Sequence, residues 1–256
     1  MNASAFHRLN QEQLASLAVA RCKRCSGAGK YVENYRGASD EYSCDCAEAF
    51  LARCDNAEFP ERLSEETLGG LDWNAIQPGD ARATLQDYAD QMEAYLDESL
   101  GLILSGPVGC GKTHVAVGVA KIACALGRDA LFVNVPGWYQ SLRDSYAQDG
   151  SSLERDMLDE MKTADVLVLD DLGAEKGSDW ARERLYVVVN KRSMRNGITL
   201  TTTNLGLEQL ETMIGERSMS RLSNNAVNVD LTGDDYRRVE KGLRQARIKE
   251  RAKQNP

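Results

Sequence analysis

Two hydrophobic patterns divide the chain near residue 100. Beyond it, short apolar runs recur at 100–105, 130–135, 166–169, 198–203 and 226–231. Runs this short, several of them rich in β-branched residues, fit strands buried on both faces. Between most of them the apolar positions change to helical spacing, over 112–126, 138–146, 153–162, 179–194 and 207–213. Strands alternating with helices predict an α/β fold with a parallel five-stranded sheet flanked by helices. Before residue 100, Leu85, Tyr88, Met92, Tyr95 and Leu96 predict a helix over 81–98. Phe6, Leu9, Leu14 and Leu17 predict a short amphipathic helix near the start. The stretch 59–80, with Pro60, Gly69-Gly70 and Pro78-Gly79, has no period and reads as a partly ordered linker. The expected organisation is therefore a small unit over 1–58, a linker over 59–80 and a main domain over 81–256.

Composition adds compartment and charge. The 256 residues contain no apolar run approaching the roughly 18–20 needed to cross a bilayer. The N-terminus lacks a basic start followed by a long apolar core, so a cytoplasmic protein with no membrane association is expected. Thiols stay reduced there, and the seven Cys read as metal ligands or buried thiols rather than as disulfides. The net charge of −8 is uneven: 29 Asp/Glu against 16 Lys/Arg over 59–236, but two Glu against eight Lys/Arg over 237–256. Such a basic tail either follows a phosphate backbone or is a solvated helical face.

The chemistry lies at the ends of the apolar runs. Gly106-Pro107-Val108-Gly109-Cys110-Gly111-Lys112-Thr113, followed by His114, fits G-x-x-x-x-G-K-[ST] between a strand and a helix. In this setting glycines let successive N–H groups curl around phosphate oxygens, and the helix N-terminus adds partial positive charge. Lys112 would reach the β- and γ-phosphates and Thr113 would ligate Mg²⁺; Cys110 reads as a small filler. Four apolar residues, Val166–Leu169, run into Asp170-Asp171. Asp170 is placed to hold Mg²⁺, and Asp171 to orient or deprotonate an attacking water. Asn204, at the tip of the 198–203 run, either touches the γ-phosphate or lytic water, or caps the helix that begins near Leu207. Arg217 and Arg221, four apart, share one helical face and are candidates for an arginine donated to a neighbouring subunit's site, or for a surface ion pair.

Five of the seven Cys precede Asp55. Cys22, Cys25, Cys44 and Cys46 give C-x2-C-x18-C-x-C, a spacing that two tight turns could fold into a tetrahedral Zn²⁺ site. Ordinary buried thiols are the alternative; a redox pair needs a thioredoxin-like context that is absent. Cys54 is either a non-ligating thiol or a substitute for Cys46. The sequence between the pairs predicts two short strands about a turn at 37–40. His7 reads as solvent-exposed. Gly27-Ala28-Gly29-Lys30 lacks the preceding strand and following Ser/Thr of a phosphate loop.

Taken in order, GPVGCGKTH, VLVLDDLGAEKGSDW, TLTTTNL, GERSMSRL and LTGDDYRR resemble the AAA+ ATPase module of DnaC/DnaI-type replicative helicase loaders and of related transposase-helper ATPases. The resemblance covers residues 100–238. It implies ATP as ligand, Asn204 as the sensor-1 residue, Arg221 as the arginine finger acting in trans within a homo-oligomer, with Arg217 a second candidate, and Arg237 as a sensor-2-like arginine. It implies a DnaB-like replicative DNA helicase and single-stranded DNA as partners, a reduced lid, and an N-terminal zinc module that docks on the helicase. Most AAA+ enzymes have Glu where this chain has Asp171, so slow hydrolysis is expected. A transposase-helper ATPase, or a zinc-dependent nucleic-acid-binding module with a vestigial ATP site, are the competing readings.

Overall fold

The computed structural model describes residues 6–35, 38–146, 151–174, 178–195 and 197–236. α1 (Gln11–Ala20) starts at a capping box in which Asn10 and Gln13 exchange side-chain-to-backbone bonds, each of 2.9 Å. The antiparallel hairpin β1 (Lys30–Tyr35) and β2 (Ala38–Ser43) follows, then α2 (Cys46–Asn56), α3 (Gly79–Asp90) and α4 (Met92–Glu98). Tyr35 lies opposite Ala38, so Ala38, Ser39 and Asp40 belong to a strand and not to the expected turn. The helix expected over 81–98 is broken at Gln91, whose ψ of 10° leaves the helical range.

The remaining elements are β3 (Gly101–Ser105), α5 (Lys112–Ala125), β4 (Ala130–Asn134), α6 (Val135–Tyr146), α7 (Ser151–Thr163), β5 (Val166–Asp170), α8 (Asp179–Arg195), β6 (Ile198–Thr202), α9 (Leu207–Ile214), α10 (Glu216–Ser223) and β7 (Ala226–Asp230). The five strands β3 to β7 form a parallel sheet in the order β4-β5-β6-β3-β7. The strand alternation divides the core in two. Leu102, Leu104, Val166, Val168 and Leu200 face α5 and the N-terminal helices. Ile103, Leu167 and Leu169 face α6 to α10. α5 is buried almost all round, as befits a helix held between the sheet and a second helical layer.

That second layer changes the expected organisation. Leu14 and Leu17 of α1 and Phe50 and Cys54 of α2 share one apolar cluster with the sheet, and Phe132 N–H donates to the Ala57 carbonyl at 2.7 Å. None of the described side chains of the hairpin enters either cluster. The stretch 59–80, expected as a partly ordered linker, lies as a strap across α5. It turns at Glu61–Leu63 and Leu68–Gly70 and buries Leu63, Leu68 and Ile76. Lys121 of α5, fully buried, donates to the carbonyls of Leu63 (2.9 Å), Ser64 (2.5 Å) and Glu66 (2.8 Å). Leu68 lies where a Cβ on Gly118 would stand 2.5 Å away, so the glycine makes room for the strap. Its irregular spacing hid this packing, because one-off contacts with a neighbouring helix leave no period.

His7, expected in solvent, is 7% exposed. Its Nδ1 lies 2.9 Å from both carboxylate oxygens of Asp90, and its ring meets Trp73 edge-on. No helix among the described residues is long and apolar enough to cross a membrane.

Candidate functional site

The loop between β3 and α5 bends where only glycine fits. At Gly106, φ is +139° and a Cβ would lie 2.1 Å from the Leu231 carbonyl oxygen. At Gly109, φ is +82° and a Cβ would strike the Asp235 carboxylate. Pro107 and Val108 form the loop's crown, with Val108 exposed. Cys110 is buried beneath, its Sγ 3.7 Å from Lys112 Nζ. Lys112 lies inside the loop and donates to the carbonyls of Gly106 (2.8 Å) and Pro107 (2.7 Å) and to Asn204 Oδ1 (2.9 Å). His114 points outward to the strap, with Nε2 3.0 Å from the Thr67 carbonyl.

The adjacent strand ends bring the acids to this loop. Asp170, at the tip of β5, is 8% exposed, and its Oδ1 accepts from Thr113 Oγ1 and Thr202 Oγ1, both at 2.8 Å. Asp171 follows with φ +60°, in the left-handed region. Its N–H donates to Thr202 Oγ1 at 3.0 Å, and its Oδ1 accepts from Asn204 Nδ2 at 2.6 Å. Asn204 therefore bridges Lys112 and Asp171 and does not cap α9, whose N-cap is Gly206. The parallel register explains the meeting. Strands β5, β6 and β3 are neighbours, so their C-terminal ends deliver Asp170, Asn204 and the loop to one edge.

These groups line a cleft of about 830 Å³. The strap also lines it, through Arg62, Leu63, Leu71 and Ile76, as do Asp234 and Tyr236. Those residues and Thr202 escaped sequence reasoning. Thr202 alone left a signal, since it stands two positions before Asn204 near the end of a strand. The segment after β7 is tied down by Tyr236 N–H, which donates to the Gly109 carbonyl at 3.1 Å. Arg217 and Arg221 are exposed on α10, away from the cleft lining, and among the described residues neither forms an ion pair. Arg237, the expected reduced lid and the basic tail lie outside the described residues.

The second site is the cysteine cluster. The sulfurs of Cys22, Cys25, Cys44 and Cys46 all lie within 4.8 Å of one another, with Cys22–Cys44 at 3.6 Å and Cys25–Cys46 at 4.0 Å. Tetrahedral Zn–S bonds of about 2.3 Å need sulfurs about 3.8 Å apart, so the set fits zinc. Ser26, Gly27 and Gly29 take positive φ just after the first pair and turn the knuckle. Burial raises the Cys25 thiol, but the N–H groups of Gly29 and Gly27 and the thiols of Cys22 and Cys44 outweigh it and bring it down to about 7. Burial, with the Cys44 and Cys25 thiols, pushes Cys46 up to about 12. Cys54 does not join the cluster; it is buried against Cys124 of α5.

Comparison with known proteins follows the α/β core. The family model described as IstB-like ATP binding protein matches residues 53–249, which leaves the cysteine cluster and hairpin outside the match. The replicative helicase loader DnaC of Escherichia coli (strain K12) is 29% identical over 136 residues, 53% of this chain and 55% of that protein. The chain thus spans about half the length of that curated relative. The ATP-binding protein of insertion sequence IS21 from Pseudomonas aeruginosa is 29% identical over 181 residues, 69% of this chain and 66% of that protein. The crystal structure of DnaI superposes with a TM-score of 0.58 at 27% identity, covering 68% of this chain and 95% of that one.

Proposed function

We propose a function from a fixed premise: the chain belongs to the IstB-like ATP-binding protein family. The reading best supported is an ATP-dependent helicase loader in DNA replication. The cleft would take ATP, with the loop N–H groups and Lys112 on the phosphates and the strap against the rest of the nucleotide. Thr113 and Asp170 would hold Mg²⁺, which supplies charge neutralisation at the phosphates. Asp171, steered by Asn204, would accept a proton from water as the water oxygen bonds to the γ-phosphorus and the bond to the β-γ bridging oxygen breaks, releasing ADP and phosphate. Arg221, with Arg217 beside it, would reach the site of the next subunit in a homo-oligomer, and Arg237 would act as a further phosphate-facing arginine.

The four cysteines would hold Zn²⁺, which supplies a folding cross-link to a hairpin none of whose described side chains enters the apolar core. That module would dock on a DnaB-like replicative helicase while the ATPase domain follows single-stranded DNA, in the cytoplasm.

The observation that supports this reading is the 29% identity to the replicative helicase loader DnaC of Escherichia coli, beside the Lys112–Asn204–Asp171 network in the cleft. The likeness to the IS21 protein favours a second reading, a transposase-helper ATPase. Co-purification with the replicative helicase of the same genome, with and without ATP, decides between them. A stable complex and a preference for single-stranded DNA support the loader. Indifference to the helicase, together with duplex binding and stimulation of a transposase, supports the helper.

A further inference from the structure

Thr202 closes β6 two residues before Asn204 and is 1% exposed. Its single hydroxyl proton goes to Asp170 Oδ1 at 2.8 Å, the oxygen that also accepts from Thr113. The same hydroxyl accepts from Asp171 N–H at 3.0 Å. One buried group therefore grips the side chain of the first acid and the backbone of the second. The second grip falls at a costly place, because Asp171 sits at φ +60°. Among non-glycine residues, Asp and Asn tolerate the left-handed region best. In that conformation the Asp171 carboxylate reaches Asn204 at 2.6 Å, whereas the Asp170 carboxylate points to Thr113. Two adjacent acids thus face different partners.

We infer that Thr202 is a positioning residue for the ATPase, splitting Asp170 and Asp171 into separate duties, and that aspartate at position 171 is matched to the backbone this hydroxyl holds. The inference rests on the ATP-hydrolysis reading above. Valine has the shape of threonine but can neither donate nor accept, while serine keeps both abilities.

The test compares full-length wild type, Thr202→Val and Thr202→Ser. Fluorescent ATP-analogue binding is measured in EDTA and across a Mg²⁺ titration, beside steady-state hydrolysis. Binding in EDTA stays at the wild-type level in both variants. In Thr202→Val the half-saturating Mg²⁺ rises and kcat falls about 10- to 100-fold with little change in KM, the scale seen when a partner of a metal ligand is removed. Thr202→Ser keeps both values. A Thr202→Val protein that matches wild type overturns the inference, and so does a Thr202→Ser protein with the valine defect, since that assigns the effect to the lost methyl. If Thr202→Val fails to fold, Thr202→Ser alone decides by keeping or losing the wild-type Mg²⁺ response. A wild type that does not bind or hydrolyse Mg²⁺-ATP overturns the ATPase reading itself, and this shows before any variant is compared.

Discussion

Lys112 donates to Asn204 Oδ1 at 2.9 Å across 92 positions of sequence, and the other end of the same amide donates to Asp171. The asparagine thus aligns the proposed phosphate-binding cation with the proposed base. It can do so because an amide offers an acceptor and a donor on one planar group.

Replacing Asn204 by Ala is expected to separate binding from turnover. Lys112 keeps its two loop carbonyls, so nucleotide affinity stays near wild type, while Asp171 loses its steering partner. A fall in kcat of about 10²-fold is the expected size for one preorganised donor. Single-turnover hydrolysis beside equilibrium binding checks this. Loss of affinity equal to the loss of rate would show that Asn204 serves binding alone.

The buried Lys121 anchors the strap that walls the cleft. Lys121→Met keeps the side-chain volume but leaves three carbonyls without their donor. The expected cost is about 1–3 kcal/mol in stability and about tenfold in nucleotide affinity. Thermal melts with and without nucleotide measure both. A variant that melts early yet binds nucleotide as wild type does would show that the strap is not part of the binding wall.

Arg221 is exposed and unpaired among the described ionic groups, as a residue acting on a neighbouring subunit must be. Arg221→Ala is expected to bind ATP normally and to lose hydrolysis on the order of 10³-fold. Mixing it with Lys112→Ala should recover part of the activity, because one interface then combines an intact loop with an intact arginine. Failure of the mixture to recover any activity would argue against action in trans.

The cysteine cluster should bind one metal ion per chain, and Co²⁺ substitution should give the thiolate charge-transfer absorbance of a tetrahedral sulfur site. Cys25→Ser should lose the metal and helicase binding while retaining ATP binding, since no described hairpin side chain enters the apolar core. Elemental analysis, absorbance and nucleotide titration together check this. Purified protein without metal, or loss of ATP binding with the metal, would count against it.

Much of this was legible in the residues themselves. Strands β3 and β5 were the most readable, because a strand buried on both faces is nearly all apolar, as Val166–Asp170 is up to its terminal acid. The loop before α5 was readable because its glycines answer to local backbone geometry, with positive φ at Gly106, Gly109 and Gly111. The gathering of the four cysteines was readable because their two close pairs each fit one tight turn, and the four sulfurs do lie within 4.8 Å of one another.

Only the tertiary structure decided the rest. The strap looked like a linker because its contacts, Leu68 on Gly118 and three carbonyls on Lys121, are single meetings with a distant helix. His7 looked exposed because Asp90 is 83 positions away. Asn204 had two local readings, and the neighbouring tips of β3, β5 and β6 chose between them. Periodicity and motifs record interactions that repeat or lie close along the chain. A hydrogen bond made once across the fold leaves neither, so the hydrogen-bonded arrangement of Lys112, Asp171, Thr202 and Asn204 exists only in three dimensions.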